Sequence, residues 1–281
     1  MDKIELLLNR ITEFPTLPTI YSSLLELTSN PRSTVQDVAN LISKDQSASI
    51  KILKVVNSSI YSLQKRVDNI SQAIFYLGFN EVKNITLALS VMEIFSKINS
   101  SEFNIIDLWK HSIAVGVISR TLGLKIGLQN PENFFTTGIV HDIGKLFFIK
   151  FFKEKYFKLV KTAQDTNARL VDLEKEEFGL HHDQVGSELA ALWKLPSQIK
   201  NAIDYHNLGL VDGKPEYLVS CVHLANIIAM MLKLGNPGYN TVPQPNFQIW
   251  NLLTFPPGTL KDIYPELIES YISSEAILTI K

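Results

Sequence analysis

A single cysteine, Cys221, stands among 281 residues. No internal disulfide can form, and its place in an apolar run reads as a small core residue in a reducing compartment. An excess of charge of one sign is also lacking. The first hundred residues hold ten basic and nine acidic side chains, the rest seventeen and nineteen, for a formal net charge of −1. That balance withholds the basic surface on which non-specific nucleic-acid binding draws. The opening "MDKIELLLNRITEF" has charges inside its apolar run and no small-residue cleavage site, which argues against a secretory signal. The longest apolar stretch, "YLVSCVHLANIIAMMLKL", is long enough for a bilayer, yet His223 and Asn226 sit in its middle, where lipid disfavours them. The expectation is a cytoplasmic protein without a membrane span. Repeats, low-complexity tracts and the period-two alternation of strands are missing as well.

Helical periodicity is what the sequence does contain, and 46% hydrophobic residues are ample for a sizeable core. In "STVQDVANLIS" Thr34 and Asp37 form a capping-box signature ahead of Val35, Val38, Leu41 and Ile42. "NISQAIFYLG" ends at Gly78, a residue suited to a left-handed terminus. Asn80 is the expected N-cap of the next helix, whose stripe is Val82, Ile85, Leu89, Met92 and Phe95. The polar, helix-poor stretch 97–104 is the expected joint between two helical units. Beyond it, one helix is expected to stop at Gly123, and another to open with Asn130 as N-cap and Pro131 at its first position. Further helices are expected to end at Gly179, Pro196 and Gly235. A proline-rich loop over 236–246 precedes two last helices, "FQIWNLLTF" and "KDIYPELIESYISS". The fold class is all-α, with an N-terminal helical lobe over 1–97, a helical bundle over 98–235 and a C-terminal extension over 236–281.

All six histidines (111, 141, 181, 182, 206 and 223) fall between positions 111 and 223. Such clustering favours a common site. Asp107 and His111 are four apart and share a helix face. His141 and Asp142 break an oily stretch, "GIVHDIGKLFFIK", where a buried imidazole and carboxylate are costly without compensation. His182 caps a third helix, His206 closes a fourth, and His223 and Asn226 share a face of a fifth. Imidazole nitrogen and carboxylate oxygen suit zinc, iron or manganese, and helical bundles build such sites from facing helices. Plainer readings stand beside this one. His141 and Asp142 could form a hydrogen bond inside a helix, Asp107 and His111 an exposed pair worth about 0.3–0.5 kcal/mol. Lys145 reads as a solvated side chain or an anion binder, and His181 and His223 as ordinary hydrogen-bonded residues.

The segment "HDIGK", preceded thirty residues earlier by "WKHS" and followed by "FGLHHDQVG" and "YHN", resembles the HD superfamily of metal-dependent phosphohydrolases. With "FPTLPTI", "LISKDQSASIKILKVVNSSIYS" and "ISQAIFYLGFNEVKNI" ahead of it, the chain is more closely similar to the HDOD branch, the HD-related output domain of bacterial signalling proteins. The likeness covers roughly residues 8 to 235. It implies an all-α fold, an N-terminal lobe ahead of an HD-like bundle, and an output or scaffold role toward a signalling protein partner.

By the same resemblance, His111, His141, Asp142, His182 and His206 match metal ligands, with Asp107 and Asn226 as weaker candidates. The ion would be iron, manganese or zinc, in a mononuclear or dinuclear site. Were the site catalytic, Asp142 would bridge two ions and Lys145 would neutralise a phosphate oxygen, in hydrolysis of a nucleotide, cyclic nucleotide or other phosphoester. The departures are Gln46 where the family usually has proline, Asn226 in place of the closing aspartate, and no Gly-Tyr-Pro signature. The last two weigh against hydrolysis, and against that of cyclic di-GMP most of all. No receiver, kinase or sensor segment is legible, so an input signal is expected from elsewhere. The helical lobes leave room for a homo-oligomer.

Overall fold

The computed structural model describes residues 3–95, 104–128, 131–256, 258–275 and 278. Among them the regular structure is helical throughout, and the only extended pairing is one isolated bridge between Val211 and Lys214. The chain divides into two compact units, one of Met1–Pro15 with Ile98–Thr259, the other of Thr16–Lys97 with Leu260–Lys281.

Helix α1 (Lys3–Thr12) opens the chain in the first unit. The other unit then takes α2 (Thr19–Ser29), α3 (Val35–Ser43), α4 (Gln46–Val56) and α5 (Ile70–Phe95). Helix α3 begins as its capping box requires: Asp37 N–H donates to Thr34 Oγ1 at 3.2 Å, and Thr34 N–H donates to Asp37 Oδ2 at 2.8 Å. Helix α5 breaks where expected: Gly78 takes a φ of +82° and a ψ of 168°, so the element is two helical stretches joined across a kink. Its buried face runs through Val82, Ile85, Leu87, Ala88 and Val91, while Leu89 and Met92 are only half-buried. The unit is completed by α14 (Thr259–Ser274), whose Ser273 Oγ accepts from Ser59 N–H at 3.2 Å.

The first unit holds α6 (Ile105–Lys125), α7 (Glu132–Val140), α8 (Ile143–Thr166), α9 (Leu170–Phe178), α10 (His182–Leu192), α11 (Ser197–Tyr205), α12 (Tyr217–Met231) and α13 (Gln248–Leu253). Its core is aromatic around α8. Phe148 stacks on Phe178 with centroids 4.6 Å apart, and Phe147 meets Phe14, which also meets Trp193. Trp193 Nε1 donates to Pro15 O at 3.1 Å, which ties the chain's first segment to this unit. Three boundaries shift from the sequence reading. Helix α6 runs past Gly123 to Lys125, α12 ends at Met231 before Gly235, and Pro131 is the N-cap of α7, not its first helical residue. Asn130 and all of the 97–104 joint except Asn104 lie outside the described residues. Among the described residues no helix is long and apolar enough to cross a membrane. The apolar α12 is instead a core helix, and burial pushes the Cys221 thiol up to about 12.

Candidate metal centre

Four helix termini and two helix interiors of the first unit deliver the polar side chains. His111 lies within α6, and His141 follows the last residue of α7. Asp142 holds the N-cap position of α8 but caps nothing, because its side chain turns inward. His182 is the first residue of α10, and His206 follows the last residue of α11. Asn226 comes from α12. All are buried. The imidazole centroids lie 5.6 Å apart for His111 and His141, 4.8 Å for His141 and His206, and 5.7 Å for His182 and His206. The glycine of "HDIGK" explains how α8 reaches α10: a Cβ on Gly144 would overlap the carbonyl oxygen of His182.

Each imidazole is oriented by its other nitrogen. His141 Nδ1 donates to Gly138 O at 2.7 Å and His206 Nδ1 to Ile203 O at 2.8 Å, which leaves both Nε2 atoms as lone-pair donors. His182 Nδ1 meets Glu174 Oε2 at 2.6 Å, and Glu174 Oε1 takes the Tyr156 hydroxyl at 2.8 Å. This carboxylate–imidazole pairing is the usual outer support of a metal-binding histidine. His111 is the exception, with Nε2 placed 2.9 Å from Asn226 Oδ1.

Lys145 overturns its reading as a solvated side chain. It is buried, its ammonium donates to Asp142 Oδ2 at 2.7 Å and to Pro237 O at 3.0 Å, and it lies 5.0 Å from the Tyr239 ring centroid. Asp107 is not drawn into the cage. Its carboxylate accepts from Asn104 Nδ2 at 2.8 Å, so the i, i+4 spacing to His111 makes no pair. His223 is a structural histidine: Nδ1 donates to His206 O at 2.7 Å, and Nε2 accepts from Asn246 N–H at 3.1 Å.

Electrostatics follow from burial and neighbours. Burial, with His141 beside it, pulls His111 down to about 3, and burial pulls His206 down to about 4, so both imidazoles are neutral at neutral pH. Burial opposes charge on His182, but Glu174 and Asp183 outweigh it and hold that imidazole above its ordinary value. Burial likewise opposes ionisation of Asp142, and His141 and Lys145 outweigh it, so the carboxylate stays ionised.

Two groups of ligand atoms could hold a cation: His111, His141 and Asp142, and Asp142, His182 and His206, each within 4.8 Å of one another. A fit to a divalent ion rests on the convergence of these two groups and on three buried atoms that make no hydrogen bond, His111 Nδ1, His141 Nε2 and Asp142 Oδ1. Buried polar atoms are rarely orphaned, and a ligand is one ordinary explanation. Bound at either group, an ion would supply a Lewis-acidic charge and a fixed tie between three helices. Residues that the sequence reading passed over also belong here: Glu174, Asp183, Asn207, Pro237 and Tyr239. Asp183 is adjacent to His182 and could have been found from that adjacency. Asn207 follows His206 and could have been found in the same way, whereas Glu174, Pro237 and Tyr239 approach from elsewhere in the chain and carry no local signal.

The family model of the HDOD domain matches residues 14–208. An uncharacterized protein of Treponema pallidum (strain Nichols) is 26% identical over 239 residues, which cover 84% of this chain and 46% of that protein. The chain thus spans about half the length of this curated relative. An HDOD domain protein with unknown function from Geobacter sulfurreducens has a crystal structure that superposes with a TM-score of 0.76 at 22% identity, covering 98% of this chain and 99% of that one. A candidate signal transduction protein from Marinobacter aquaeolei VT8 gives a TM-score of 0.74 at 18% identity over 99% of this chain and 65% of the other. Those structural likenesses carry the all-helical fold. With the family model covering more than half of its length, the chain belongs to the HDOD family.

Proposed function

We propose that this chain is a non-catalytic signal-transduction output module that acts by meeting a signalling protein partner in the cytoplasm. In this reading its His–Asp cage holds a divalent ion for structural ends, with His111, His141, Asp142, His182 and His206 as the ligand candidates. The single observation behind the non-catalytic reading is burial. His111, His141 and His182 are 0% exposed, His206 1% and Asp142 3%. A phosphoester needs to reach the ion and an attacking water, and these side chains offer it no surface. The neighbouring cavity, lined in part by Asn207 and Tyr239, has a volume of about 250 Å³. That falls below the roughly 300–1,000 Å³ of ordinary small-ligand sites.

A second reading is metal-dependent hydrolysis of a nucleotide or cyclic nucleotide, with Asp142 as a ligand and Lys145 as a phosphate-neutralising cation. The observation in its favour is that two buried atoms of the cage, His141 Nε2 and Asp142 Oδ1, make no hydrogen bond. Turnover decides between the two. The full chain, loaded in turn with manganese, iron and zinc, is assayed against nucleotides, cyclic nucleotides and p-nitrophenyl phosphoesters beside a His141→Ala variant. No turnover above the variant is expected. Turnover that disappears in the variant establishes the hydrolase.

A further inference from the structure

Asp183 enters the first turn of α10 directly behind His182. An acidic residue there ordinarily does no more than meet the helix dipole. This one is buried and faces the cage. Its Oδ1 lies 3.0 Å from His182 Nε2 and 3.8 Å from His206 Nε2, and Asn207 Nδ2 donates to both of its oxygens, at 2.9 and 3.0 Å. Asp142 Oδ1 faces the same two nitrogens, at 3.4 Å from His182 and 3.6 Å from His206.

We infer that Asp183 is a metal ligand, and that the cage takes one divalent ion between Asp142, His182, Asp183 and His206, with the Lys145 ammonium in place of a second ion. The inference rests on the reading that the cage holds an ion, and adds its ligands and its stoichiometry. Ligand bonds of about 2.0–2.1 Å in a tetrahedron give ligand–ligand edges of about 3.3 Å. The four separations, from 3.0 to 3.8 Å, bracket that value. Two of the four side chains are oriented from outside, His182 by Glu174 and His206 by the Ile203 carbonyl, while Asn207 Nδ2, which holds Asp183, also lies 3.1 Å from His206 Nε2 and 3.5 Å from His182 Nε2 and gives up those nitrogens when an ion binds.

The other half of the cage is occupied differently. Asp142 Oδ2 is taken by Lys145, which removes the oxygen that would bridge to a second ion. His111 Nε2 is turned to Asn226, a neutral side chain where an aspartate would have brought charge. Asp183 brings that charge from another helix. Three buried carboxylates, Asp142, Glu174 and Asp183, face one buried ammonium, Lys145. Coordination requires the unprotonated imidazole nitrogen, so one divalent ion cancels the remainder. Two ions would leave an excess of positive charge in a closed interior, at a desolvation cost of several kcal/mol per uncompensated charge.

The test is titration of the metal-free full chain with cobalt(II), followed by optical absorption and by competition with a chromophoric chelator. Uptake of one equivalent with the intense bands of four-coordinate cobalt is expected. Asp183→Asn, which keeps the side-chain shape, is expected to weaken binding by more than the ~10–100-fold that loss of an outer partner costs, and to shift the bands. Lys145→Met is expected to raise uptake to two equivalents. Circular dichroism checks that the variants fold, and should one fail, the wild-type stoichiometry and spectrum decide. Two equivalents in the wild type, or an Asp183→Asn protein with unchanged affinity and spectrum, overturns this assignment alone. A chain that takes up no cobalt overturns the underlying metal reading as well.

Discussion

At the scale of the residue, the cage is a balance of charges that none of its members could hold alone. Lys145 and Asp142 are each buried, and their 2.7 Å contact compensates two desolvation penalties at once. In metal-free protein, Lys145→Met removes the cation and leaves the carboxylate stranded, an expected loss of about 3–5 kcal/mol in urea unfolding. A loss under about 1 kcal/mol would mean that solvent reaches Asp142. Glu174 acts one step further out. Glu174→Gln leaves His182 without its carboxylate partner and is expected to lower divalent-metal affinity ~10–100-fold in chelator competition. Unchanged affinity would show that His182 is not a ligand. Much of this residue-level picture was legible in the sequence because histidine and aspartate are rare in oily helices. Lys145 was misread because nothing in its local pattern separates a solvated lysine from one that a distant carbonyl, that of Pro237, helps to bury. Glu174 and Tyr239 were invisible for the same reason: their roles are set by contacts across the fold.

At the scale of the element, each helix end does a specific task. The junction between α7 and α8 places His141 and Asp142 in succession, and Gly144 lets α8 sit against the start of α10. Gly144→Ala would push the two apart, with an expected cost of about 1–3 kcal/mol or more in unfolding free energy and weaker metal binding. Stability and affinity both within error of the wild type would show that the contact is easily relaxed. Helix boundaries show where sequence patterns are informative and where they are not. Thr34 and Asp37 mark the start of α3 because a capping box is a local hydrogen-bond exchange. Gly78 does break its helix, at a φ of +82°, whereas Gly123 misleads as a terminator: it lies inside α6, where a missing Cβ makes room for Pro131 and Phe134. Glycine identity alone does not separate a stop from a close approach.

At the scale of the whole molecule, the fold class was legible from absence: without period-two alternation there was nothing from which to build a sheet. What the sequence could not yield was the discontinuity of the compact units, since Met1–Pro15 joins the first through contacts such as Trp193 to Pro15, far apart along the chain. A bound ion would act on that first unit. At an ion concentration about 100 times the dissociation constant, linkage adds about 2.7 kcal/mol to its stability. Hydrogen exchange is expected to slow in α6 to α8 and α10 to α12 and to stay unchanged in α2 to α5. Equal slowing everywhere, or none, would contradict an ion confined to the cage. The central claim, that these buried histidines and aspartates are an ion site, is tested most directly by anomalous diffraction from crystals of the full chain grown with zinc, recorded on both sides of the metal edge. The account predicts a peak among Asp142, His182 and His206, ~2.0–2.2 Å from their ligand atoms. A difference map featureless there, with zinc bound only at the surface, would contradict it.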